Sequence, residues 1–169
     1  MPASCTSPSS TKVPDSPNLL SWNAAASDAD NAVRFLAPVK LYRPGSSTPE
    51  APPEDYLTYL QGLAKDGAEI SKATKITVDG RPGTLMNLTG DIDERHPEGF
   101  LDGSLGCPER DADREADNCY GPQPELLLRL AVVDVGGTTV IAWARMNRSN
   151  IDEAFVAMFE RMLSTIRFR

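Results

Sequence analysis

The sequence predicts an α+β fold in a single domain: an antiparallel β-sheet with helices packed on it. Three observations predict it. Residues 125–145 read as two long apolar strands around Gly136-Gly137. A second turn signal, Asp79-Gly80, separates strand-like residues 70–78 from strand-like residues 84–89. An apolar stripe at helical spacing runs from Ile151 to Ile166. Strands joined by two-residue turns must be antiparallel, because a parallel crossover needs a dozen or so residues.

Residues 1–18 are rich in Ser, Pro and Thr and nearly free of large apolar groups. Such a stretch cannot bury enough surface to offset its ordering entropy, so it reads as a disordered tether ahead of a single domain at 19–169. Residues 19–31 fit either loop or strand, with a loop over 27–30. Residues 33–42 are strand-like, but Pro38 cannot donate to a ladder and marks an edge or a bend. A turn-rich connection leads to Pro52, Pro53, Glu54 and Asp55, a helix start. Tyr56, Leu57, Leu60 and Leu63 or Ala64 form its apolar stripe, and Gly67 can cap its end.

In the next strand, alternation places Ile70, Lys72, Thr74, Ile76 and Val78 on one face. The returning strand places Thr84, Met86 and Leu88 together. In the central hairpin, Gly136 and Gly137 suit a primed turn, where both residues take φ > 0. That turn pairs Val135 with Thr138, Val132 with Ile141, Leu130 with Trp143 and Leu128 with Arg145. One face is then bulky and suits another layer or a pocket. The other carries Ala131, Ala142 and Ala144 and suits close approach of a helix. For the last helix, Ser149 or Asn150 caps the start, and Asp152 or Glu153 completes a capping box. Ile151, Phe155, Met158, Met162 and Ile166 share its apolar face with Phe159 and Leu163. Residues 166–168 form a short last strand or an extended end.

The chain has 169 residues, 40% apolar, enough for a real core. It has no run of about 20 apolar residues. No signal peptide is visible, so the sequence reads either as cytosolic or as starting at a trimmed end. The net charge is −7. Residues 91–123 hold ten acids and three bases, so the whole excess lies in one long loop. That charge excludes nucleic acid as a partner.

Of three cysteines, Cys107 and Cys119 bracket the second half of the acidic loop. A polar, Pro- and Gly-flanked insertion between two cysteines reads as a local disulfide, stabilising by roughly 3 kcal/mol in the chain-entropy model. Two free thiols in a reducing cell are the alternative. The pair lacks the spacing and the second ligand pair of a zinc site. Ala3-Ser4-Cys5 matches the end of a bacterial lipoprotein signal, which would make Cys5 a lipidation site and a membrane anchor. An incidental cysteine explains it equally well.

Two clusters could carry chemistry. His96, the only histidine, stands beside Asp91, Asp93 and Glu94, groups that could bind a metal or form an acid–base pair. No nucleophile motif accompanies them, and a solvated loop is the plainer account. Asp111, Asp113, Glu115 and Asp117 alternate like the start of a calcium loop. Ala116 stands where that loop needs glycine and Pro122 where it needs glutamate. A weak Ca²⁺ site stays open beside the reading of a solvated acidic face; no other cofactor is indicated.

Ile76-Thr77-Val78-Asp79-Gly80-Arg81-Pro82, Val132-Val133-Asp134-Val135-Gly136, and the ending Phe159 to Phe168 through Met162-Leu163-Ser164-Thr165-Ile166-Arg167 resemble the PsbP-like fold, in particular actinobacterial LpqN-type lipoproteins. These are turns and core positions, spread over residues 33–168. The resemblance implies a non-catalytic, exported accessory or binding protein and transfers no site residue. The expectation is a cell-envelope or secreted lipoprotein that binds an unknown protein or a small apolar ligand. A metal-dependent hydrolase or Ca²⁺-binding protein using the acidic loop is the alternative.

Overall fold

The computed structural model describes residues 16–23, 31–90, 103–112 and 119–169. The strands are β1 (Leu19–Asn23), β2 (Ala32–Leu36), β3 (Leu41–Tyr42), β4 (Pro49–Glu50), β5 (Ala68–Val78), β6 (Arg81–Gly90), β7 (Leu126–Val135) and β8 (Thr138–Asn147). Helix α1 spans Tyr56–Gly62 and continues as a 3₁₀ turn over Leu63–Asp66; helix α2 spans Glu153–Thr165. Six strands form one antiparallel sheet in the order β1-β2-β8-β7-β6-β5, and β3 and β4 form a separate two-stranded ribbon. The α+β architecture is therefore as the sequence predicts.

The central hairpin sets the frame. Gly136 and Gly137 have φ of 64° and 85°, and Val135 pairs with Thr138. Every pair down to Leu128 and Arg145 follows the register that this turn imposes. The N-terminal hairpin β1-β2 then extends the sheet on the β8 side, through pairs such as Arg34 with Trp143.

The two faces are covered differently. Leu128, Leu130, Ile141, Trp143, Met86 and Leu88 point to one core, closed by Tyr56, Tyr59 and Leu60 of α1 and by Leu63, Leu41 and Leu105. Ala131, Ala142, Ala144 and Val133 point to the other core, closed by Phe159 and Leu163 of α2. Alanines on the sheet leave room for the Phe159 ring, which is fully buried. Arg129, on this second face, fixes α2 to the sheet. Its Nε donates to Glu160 at 2.9 Å, and its Nη1 donates to Asn87 at 3.1 Å.

Two local expectations are corrected. The stripe expected along β5 does not share one face: the register shifts between Ser71 and Thr74, with Lys72 at φ 50°. A bulge adds a residue and reverses the alternation beyond it. Ile70 therefore packs with the α1 core, while Ile76 and Val78 pack with the α2 core. Helix α2 starts later than Ser149 or Asn150: Asp152 is the N-cap, its carboxylate accepting from Phe155 N at 3.0 Å. Ile151 accordingly lies ahead of the helix, 45% exposed. Of the two endings expected for residues 166–168, the extended one is found, and Asp79 holds it by accepting from Phe168 N at 2.9 Å. That bond first, then Arg81 and Arg167, hold the Asp79 carboxyl below its ordinary pKa.

Cys107 and Cys119 are bonded, with Cα atoms 4.3 Å apart. Their lobe is docked on the segment after β2: Cys107 N donates to Lys40 O at 2.8 Å, and Val39 N donates to Cys107 O at 3.0 Å. Tyr56 and Tyr59 donate their hydroxyls to the carbonyls of Leu105 and Ser104. Gly106, at φ 119°, permits this docking, since a Cβ there would lie 2.5 Å from the Pro38 ring. Ser16 to Asn18, read above with the tether, also join the fold. Ser16 is buried, and Asn18 donates its side-chain amide to Pro108 O at 2.8 Å.

Candidate functional site

Two concave sites lie on opposite faces of the same edge of the sheet. They arise from the alternation of β2, where Arg34 points to the α1 face and Phe35 to the α2 face.

The first is a cleft of about 290 Å³. Arg34 of β2 and Trp143 and Arg145 of β8 form its floor, and Tyr120 and Gln123 wall it beside the disulfide. Arg34 lies opposite Trp143, and Arg145 is two residues further along β8, so the two arginines are diagonal neighbours on one face. Tyr120 follows Cys119 directly and is pinned by backbone bonds to Leu105 and Gly106. Its ring packs edge-on against Trp143 at 5.5 Å. The Arg34 guanidinium carbon sits 5.0 Å from the centre of the Tyr120 ring, a cation–π arrangement. Arg34 Nε donates to Ser21 Oγ at 3.2 Å. Burial, and then the like charge of Arg145, push the pKa of Arg34 down to about 10, and Tyr120 opposes that fall. Arg34 therefore stays charged at neutral pH.

The second site is a groove of about 720 Å³ between the outer strands and the end of α2. Leu20 and Trp22 of β1, Phe35 of β2, and Met162, Ile166 and Phe168 line it. Trp22 packs edge-on against Phe35 at 5.8 Å. Leu20 is 48% exposed and Trp22 38%, unusual for residues this large. Helix α2 covers the middle strands through Phe159 and Leu163, and β1 lies beyond its reach.

The acidic clusters have a different fate. Cys5, Asp91, Asp93, Glu94, His96, Asp113, Glu115 and Asp117 lie outside the described residues. Asp111 is described, in a turn at the edge of the disulfide lobe. Among the described residues, no group of three or more His, Cys, Asp or Glu side chains could hold a metal ion. No helix among them is long and apolar enough to cross a membrane.

Sequence reasoning passed over Arg34, Arg145 and Tyr120. A signal existed: Arg145 occurs at period two from Trp143 on the bulky face of an apolar strand, where a charge is expensive to place.

The chain matches no family model and no curated protein. Among solved structures, it is similar to a crystal structure from Pseudomonas aeruginosa, the protein of unknown function PA94, described there as a candidate regulator. The match has a TM-score of 0.52 and 13% identity, over 100% of this chain and 89% of that one. At that identity the likeness concerns the fold alone.

Proposed function

We propose that this is a non-catalytic binding protein that holds a small apolar ligand in the groove between β1, β2 and the end of α2. The observation that carries the reading is the groove itself. Its volume falls within the ~300–1,000 Å³ of ordinary ligand sites, and large aromatic and aliphatic side chains line it. Desolvating Trp22, Leu20 and Phe168 against an apolar ligand supplies the driving force.

We place the protein in the cell envelope, anchored through a lipid on Cys5, as an LpqN-like accessory protein of PsbP-like fold. The Cys107–Cys119 bond supports an oxidising compartment, since disulfides persist there and are rare in reducing ones. Mass spectrometry of the protein from its native host tests the anchor; an unmodified Cys5 in a soluble cytoplasmic fraction would sink it. The uncharged dye N-phenylnaphthylamine tests the groove. It should bind the parent saturably with a fluorescence rise, and Trp22→Ala should weaken that binding several-fold. Equal binding by both proteins would remove the groove as the site.

A further inference from the structure

We propose that the cleft on the opposite face binds a small organic anion, its carboxylate or phosphate held by Arg34 and Arg145 and its body against Tyr120 and Trp143. This site shares no side chain with the apolar groove and stands independently of it.

The first reason is charge. Arg34 is largely desolvated and shares its sheet face with the like charge of Arg145, and both effects disfavour its charged form. Five other arginines meet carboxylates. Arg43 meets Glu50, Arg81 and Arg167 meet Asp79, Arg129 meets Glu160, and Arg148 meets Glu69. Among the described residues, Arg34 meets no carboxylate; its contacts are the Ser21 hydroxyl and the Tyr120 ring. An incoming anion offsets both costs at once.

The second reason is shape. Ser21 takes the Nε of Arg34, and the guanidinium carbon lies 5.0 Å from the centre of the Tyr120 ring. The terminal amino groups are left as its donors, and they match the spacing of two oxygens on a carboxylate or phosphate. The guanidinium is thus oriented before any ligand arrives, which reduces the entropy lost on binding. The third reason is size and lining. A cleft of about 290 Å³ lies at the low end of ligand sites and admits only a small molecule. Trp143 and Tyr120 give it an aromatic wall that favours a planar body.

The test uses the full-length, disulfide-bonded protein carrying Trp22→Phe, so that Trp143 alone reports by fluorescence. Benzoate and phenyl phosphate are titrated, with benzyl alcohol as the uncharged control. Expected is a saturable change in Trp143 emission with at least one anion, none with benzyl alcohol, and weaker binding at high salt. Arg34→Gln and Arg145→Gln should each weaken binding about tenfold or more, the loss of one charge-assisted hydrogen bond. Arg34→Lys keeps the charge but loses the planar fork, and should bind between parent and Arg34→Gln, which guards against a glutamine variant that misfolds. Silence from both anions, or unchanged affinity in the glutamine variants, overturns the proposal. A triple variant, Asp113→Asn, Glu115→Gln, Asp117→Asn, separates one more source of anion. If it binds benzoate and the parent does not, the cleft is made for the chain's own acidic loop and the proposal fails.

Discussion

Arg34 and Phe35 are neighbours on one strand and serve opposite purposes. On the Arg34 side, the sheet is covered by a short helix, a 3₁₀ turn and a disulfide lobe, and the concavity left there is charged and aromatic. On the Phe35 side, one continuous amphipathic helix covers the middle strands, and the concavity left at the edge is apolar. The difference follows from what closes each face. A helix seals a smooth strip of alanines mainly by packing, with the Arg129–Glu160 pair as one polar tie. A mosaic of short pieces must be tied together by hydrogen bonds and a covalent link, and it leaves room where polar groups can be held without being fully buried.

Several substitutions separate the two faces. The largest effect is expected on the helix face. Phe159→Ala removes the ring that fills the alanine strip and should cost about 3–5 kcal/mol, read by denaturant unfolding. If the protein loses less than about 1 kcal/mol, α2 is not what closes that face. Next is the mosaic face. Cys107→Ser with Cys119→Ser opens a ring of sequence separation 12 and should cost roughly 3 kcal/mol. By hydrogen exchange, protection should fall at Leu105, Gly106 and Tyr120 while Ala142 and Ala144 hold theirs. Equal loss at both sets would mean that the bridge supports the whole sheet.

Gly136→Val acts on both faces together, because every pair of the central hairpin takes its register from this turn. The site is open, with nothing within 4 Å of an added Cβ, so the cost is conformational: about 1 kcal/mol or somewhat more for a β-branched residue at φ 64°. A variant that melts with the parent would show that the turn tolerates another geometry. The smallest effect belongs to Trp22→Ala. Trp22 loses only its edge contact with Phe35, so this change should cost about 0.5–1 kcal/mol while weakening ligand binding several-fold.

What the sequence determined by itself was local. Two glycines that need φ > 0 fixed a turn, the turn fixed a register, and period-two alternation then sorted bulky from small residues in β7 and β8. The cysteine pair and the helical stripe around Phe159 and Leu163 were legible for the same reason: spacing along the chain carries the signal. Which distant groups meet depends instead on how the whole chain packs. The bulge at Lys72 moved half of β5 to the other core, since an extra residue reverses alternation without any composition cue. Asp152 displaced Ser149 and Asn150 as the cap, a choice that depends on where the chain leaves β8. The cleft needed Arg34, Tyr120 and Arg145, which lie on three separate segments. They converge because β2 pairs with β8 and because the disulfide lobe folds back over that edge. Long-range pairing of this kind depends on the shared burial of all the elements together, so no single stretch of sequence encodes it.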